Sequence, residues 1–243
     1  MGKPYLGLVL LLALLLFGVV TTTALAQRPA NKPRVPPGVD PGGVAVAISG
    51  GGFDYTDPEI SSRLARDGEG ELLGWDFVDG DRRPAGSCLR QPNRSCSTST
   101  VQTLAGSPGR SRLILLRVAA EQPNSLVSAV QFAAQAPARI VLFAFDERLP
   151  SMIEFMLDAA PRFPNLLFVG ALPMKDARSN GDSLPGNLLL VPEQEVGMHR
   201  ASGLAGAAWL TALAAAIASN EPIENGAALK KRLIARASPS EAR

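Results

Sequence analysis

Short, uninterrupted apolar runs recur along this chain, and they constrain its fold more than any other feature. Residues 44–48 (VAVAI), 113–118 (LILLRV), 140–145 (IVLFAF) and 166–171 (LLFVGA) carry almost no polar side chain, and 188–191 (LLLV) adds one more. A strand with one wet face alternates apolar and polar residues, whereas a strand buried on both faces does not. Between the runs lie stretches of helical length at 125–136, 151–159, 201–218 and 223–237. That alternation predicts parallel strands joined by right-handed crossovers, which is the three-layer αβα arrangement of the α/β class with a mainly parallel sheet over residues 44–238.

Residues 44–60 read as strand, turn and helix start. Gly50, Gly51 and Gly52 let the backbone leave the sheet sharply, and Asp57 or Thr56 can cap a helix opened by Pro58. A surface helix is expected over 59–67 and a strand over 72–77 (LLGWDF), closed by an Asp79-Gly80-Asp81 turn. Residues 201–218 are nearly all apolar. They are expected to form a buried helix rather than a membrane span, because Ser202, Gly203 and Thr211 interrupt the run.

The first 26 residues have the organisation of a secretory signal peptide: Lys3, an apolar run over 5–20, and Ala24-Leu25-Ala26 as a small-residue cleavage site. An uncleaved membrane anchor is the other reading. Export places the protein in a periplasmic or extracellular setting, where Cys88 and Cys96, eight apart in a loop rich in Pro, Gly, Arg and Ser, form one local disulfide. Residues 27–43 read as a flexible linker and 239–243 as a C-terminal tail. Without residues 1–26, which hold Lys3 and no acid, 23 basic side chains face 22 acidic ones. Such a balance, with the cations scattered, gives nucleic acid nothing to bind. One histidine and two cysteines leave no zinc set, and no cofactor is expected.

Five segments resemble subtilisin-like serine proteases. The run at 44–48 is followed by Phe53, Asp54, Tyr55 and Pro58, matching the first catalytic block of that family; Gly74, Trp75, Asp76, Phe77, Val78 and Asp79 match its Gly-Trp-Asp-Phe-Val-Asn/Asp phrase. Leu116, Arg117 and Val118 stand where the family has a Val-Arg-Val-like strand. Residues 164–171 resemble the strand leading to its Ala-Gly-Asn, and 204–208 (LAGAA) resemble Val-Ala-Gly-Ala-Ala of its central helix. The resemblance covers residues 44–237. It implies a trimmed subtilisin-like domain, because the segment before the central helix is shorter than in the family. It also places the catalytic aspartate at Gly50, the histidine at Ser97, the nucleophilic serine at Met198 and the oxyanion asparagine at Pro173.

Acyl transfer by such a site needs a hydroxyl activated by an imidazole, a carboxylate orienting the imidazole, and donors aimed at the oxyanion. Glycine orients nothing, a serine hydroxyl is no base near neutrality, a thioether is not a regenerable nucleophile here, and proline has no N–H. A slip of one residue offers Ser49 or Gly51 for Gly50 and changes nothing. The expectation is an exported, catalytically inactive subtilisin-like pseudoprotease that binds or scaffolds, its partner an extended peptide or another exported protein. It meets a membrane only if the leader stays uncleaved. Two alternatives stay open. One is an active serine hydrolase or peptidase using Lys175 with Ser179 or Ser183, the Gly181-Asp182-Ser183-Leu184 block, or His199. The other is a nucleotide or phosphate site cradled by the turn at Gly50, Gly51 and Gly52.

Overall fold

The computed structural model describes residues 32–86, 97–107, 111–145, 150–172, 184–192, 194–196, 199–201 and 203–237. Met1–Lys32 and Pro33–Arg243 form separate units, and the second carries all the elements below. The expected leader at 1–26, residues 27–31 of the expected linker and the tail at 239–243 lie outside the described residues.

Six strands form one all-parallel sheet: β1 (Val44–Gly50), β2 (Trp75–Asp76), β3 (Ser111–Arg117), β4 (Ala138–Ala144), β5 (Leu167–Leu172) and β6 (Leu188–Pro192), in the order β2-β3-β1-β4-β5-β6. The helices are α1 (Pro58–Ser61), α2 (Thr98–Ala105), α3 (Pro123–Gln135), α4 (Pro150–Ala159), α5 (Gly203–Asn220) and α6 (Gly226–Ala237). A separate antiparallel pair, β7 (Gln194–Val196) and β8 (His199–Ala201), precedes α5.

The continuous apolar runs become the central strands because each feeds two cores. On one face Val46 and Ile48 pack with Leu113, Leu115, Ile140 and Leu142 against α2, α5 and α6. On the other, Ala45 and Ala47 pack with Ile114, Leu116, Val141 and Phe143 against α3 and α4. Helix α5 is the one described helix long and apolar enough to cross a membrane. It lies instead over the middle of the sheet, with Ala207, Ala208, Ala214 and Ala215 buried. Those short side chains let its axis approach five strands of the sheet, which the contacts to β1, β3, β4, β5 and β6 record.

Two expected elements are shorter in the structure. Asp57 caps α1 through Oδ1, which accepts from the N–H groups of Glu59 (2.9 Å) and Ile60 (3.3 Å), but the helix ends at Ser61 rather than continuing to 67. The reason is burial on opposite faces: Leu64 enters the first core and its neighbour Ala65 the second, a period-two demand that a helix cannot meet. The chain runs extended beside β3, with the Leu113 N–H donating to the Arg63 carbonyl and the Ala65 N–H to the Leu113 carbonyl. The strand expected over 72–77 contracts to Trp75–Asp76, since Asp76 turns the chain by accepting from the N–H groups of Val78 and Asp79.

Residues 33–43 correct the linker expectation. This stretch forms a strap held against the domain: the Tyr55 hydroxyl donates to the Pro33 carbonyl (2.8 Å) and the buried Arg66 guanidinium to the carbonyls of Pro36 (2.7 Å) and Gly70 (2.9 Å). Asp40 accepts from the N–H groups of Gly42 and Arg66 and from Arg112 Nη1. Burial works against its charge, but those donors and the Arg112 guanidinium outweigh it and hold the carboxyl below its ordinary range. Composition gave no sign of this, because the partners lie 26 and 72 residues away.

Candidate functional site

Strands β1 and β4 end side by side, with Gly50 opposite Ala144, and the start of α2 is set down on them. Gly50 also pairs with Arg117 of β3, and its carbonyl accepts from the Val118 N–H at 2.9 Å. Ser97, the residue before α2, donates its hydroxyl to the Ala144 carbonyl at 2.5 Å instead of capping the helix. Its N–H donates to the Gly52 carbonyl at 3.3 Å, and Thr98 Oγ1 accepts from the Asp54 N–H at 3.0 Å. The turn after β1 and the first residues of α2 are therefore joined by direct hydrogen bonds.

The two residues that the family resemblance pairs as aspartate and histidine positions, Gly50 and Ser97, are in contact. A Cβ placed on Gly50 would lie 2.2 Å from Ser97 Oγ, 2.8 Å from Ser97 Cβ and 3.1 Å from the Phe53 ring. Ser97 thus fills the space that a side chain at position 50 would use. In the rest of the turn Gly51 is exposed and Gly52 is buried. Gly52 has φ +140°, and a Cβ there would stand 2.2 Å from Gly86 Cα, so two backbones touch where a side chain would enter. Ser49 is fully buried and, by strand alternation with Ala45 and Ala47, faces the α3 and α4 side, away from Ser97.

Next to this end of the sheet stands a charged cluster whose pairing the sequence did not indicate. Arg117 Nη1 donates to Asp76 (2.8 Å) and Asp79 (2.6 Å), and the Asp76 carboxylate is wholly buried. Burial disfavours the guanidinium charge, yet the two carboxylates more than offset it and raise the Arg117 pKa. Each Asp76 oxygen has a committed partner: Oδ1 takes two backbone N–H groups and Oδ2 takes Arg117. The cluster therefore locks the β2 turn to β3. Its residues fall in two of the segments that resemble the protease family, Asp76 and Asp79 in 74–79 and Arg117 in 116–118, but nothing local in the sequence joins them.

The remaining candidates are distributed as follows. His199 begins β8, pairing with Val196 in the hairpin, and its side chain is outside the described set. Met198, Pro173, Lys175, Ser179, Asp182, Ser183, Cys88 and Cys96 lie outside the described residues. At the opposite pole of the sheet the amino ends of β1 and β4 border a cavity of about 300 Å3, and a wider depression of about 500 Å3 lies by Arg34, Glu71 and Arg83.

Neither a protein-family model nor a curated protein sequence matches the chain. Solved structures do. A cold-adapted subtilisin-like serine proteinase superposes over 84% of this chain and 86% of its own, with 17% identity and a TM-score of 0.53. The PatG macrocyclase domain aligns over 74% of this chain and 79% of its own, with 15% identity and a TM-score of 0.40. The patellamide maturation protease PatG gives 74% and 78%, with 15% identity and a TM-score of 0.42. Low identity over most of both chains carries the backbone and not the chemistry. Its all-parallel six-stranded sheet between helical layers, superposing on that proteinase over most of both chains, gives this chain a subtilisin-like fold.

Proposed function

We propose that this chain is an exported, catalytically inactive subtilisin-like domain that works by binding, with an extended segment of another exported protein as its partner. One observation carries the reading: Ser97 occupies the space above Gly50 and spends its hydroxyl on the Ala144 carbonyl. In a subtilisin-like frame these positions would hold the carboxylate and the imidazole it orients. A committed serine hydroxyl beside a glycine supplies neither a base nor an orienting charge. What a parallel-sheet domain retains without that pair is strand edges and a shaped surface, which hold an extended segment through main-chain hydrogen bonds.

The test is labelling of the folded protein with a fluorophosphonate serine-hydrolase probe beside a heat-denatured control. No labelling of folded protein is expected. Labelling that requires the native fold overturns the inactive reading, and mapping it to Ser179 or Ser183 would name a serine nucleophile. The binding half is tested by selecting extended peptides from a random display library. Enrichment of sequences that protect strand amides from exchange supports it, and a selection that yields none removes it.

A further inference from the structure

At the amino ends of β1, β4 and β5 the connection from α5 to α6 borders the cavity of about 300 Å3. This is the pole opposite Gly50. Val44, Ala218, Ile223 and Leu229 give it an apolar lining, and Arg139, Asn165, Glu221 and Asn225 supply its polar groups. The disposition of those polar groups decides what could bind.

Among the described residues Glu221 is the only acid in the lining, and both of its oxygens are engaged, Oε2 by Arg232 at 2.5 Å and Oε1 by Arg236 at 2.8 Å. Its negative charge is already matched by two guanidinium groups. Asn225 has Oδ1 committed to the Ala228 N–H at 2.9 Å, which leaves its amide N–H groups as what it can offer. Arg139 has no ion-pair partner among the described residues, so its fork of donors is the unbalanced charge on the rim. The cavity thus joins an apolar wall to a surplus of donors and positive charge.

We propose that this cavity binds a small amphiphilic carboxylate, its tail against Ile223 and Leu229 and its head on Arg139. A single planar guanidinium matches a carboxylate through two parallel hydrogen bonds. The volume sits at the lower end for small-molecule sites, which suits a ligand of roughly ten heavy atoms. An octanoate ion has that size and charge. The site is independent of the binding mode proposed above, since its lining contains no residue of the edge strands β2 and β6.

Octanoate titrated into the full chain, followed by residue-resolved amide NMR, tests the proposal. Saturable shifts confined to Val44, Asn165, Ile223, Asn225 and Leu229 are expected, with half-saturation near about 0.1–1 mM. Arg139→Gln raises that value about tenfold, the loss of one charge-assisted pair, without changing the circular dichroism or the melting midpoint. Octan-1-ol keeps the tail and drops the charge, so with the unaltered chain it binds weakly at the same residues. Absence of saturable shifts, shifts centred elsewhere, or equal half-saturation for octanoate and octan-1-ol overturns the proposal.

Discussion

At the carboxyl end of the sheet Ser97 fills the space above Gly50 and holds the last carbonyl of β4, whereas at the amino end β1, β4 and β5 leave about 300 Å3 open beside Arg139. Open parallel α/β sheets ordinarily bind ligands at the carboxyl ends of their strands. Glycine contributes to both outcomes here. At Gly50 the missing Cβ lets a neighbouring side chain drop in and close the space. At Gly226 it brings the start of α6 onto the sheet side, since a Cβ there would lie 2.2 Å from the Leu166 carbonyl oxygen and the Gly226 N–H donates to the Pro164 carbonyl. That docking draws the helix in at one point, and the connection before it, Glu221 to Asn225, lines the cavity.

The sharpest way to break the comparison is to put a side chain into the closed end. Gly50→Asp forces a carboxylate against Ser97 and leaves it unpaired among buried atoms, so urea unfolding should show a loss of about 3–5 kcal/mol. An unchanged midpoint would mean that the contact yields easily. Removing the plug is milder. Ser97→Ala leaves the Ala144 carbonyl without its side-chain donor, costing about 1–3 kcal/mol by the same measurement. Combined with Gly50→Ala, the loss should be smaller than the sum of the two single changes, because the Ser97 oxygen is the nearest atom in the clash.

The strap supplies a smaller and pH-dependent effect. Folding lowers the Asp40 pKa, so its contribution is complete above the ordinary carboxylate range and disappears as the pH falls through the folded value, below 3.8. Amide exchange at Gly42 and Arg66 should accelerate in that window, and Asp40→Asn should show the fast exchange already at neutral pH. Exchange insensitive to both changes would show that Tyr55 and Arg66 hold the strap unaided. The smallest effect belongs to the open end: Arg139→Gln, at an exposed position with no ion-pair partner among the described residues, leaves the urea midpoint where it was. A clear shift would mean that Arg139 helps to hold the sheet end and is not spare.

Continuous apolar runs made the strands legible, because burial on both faces writes itself into composition. Elements set by distant partners were not legible. Leu64 and Ala65 fit a helical pattern until the two cores claim them separately, and the Pro- and Gly-rich strap looks unanchored until Arg66 and Arg112 arrive. The β7–β8 hairpin is too short and polar for any period to reveal it. Of the candidate site, the nearness of Gly50 and Ser97 followed from the family resemblance alone, since nothing local links residues 47 apart. The cavity carried no motif because its lining comes from four separate connections and strand ends.

The strap also sets a clock. Asp40 closes on Arg66 and Arg112 across 26 and 72 residues of chain, so its last partner does not exist until β3 has been made. At ordinary rates of synthesis, about 5–20 residues per second, that interval is roughly 4–14 s. Throughout it Asp40 lacks its last anchor, and residues 33–43 are tied down at both arginines only when β3 joins the sheet.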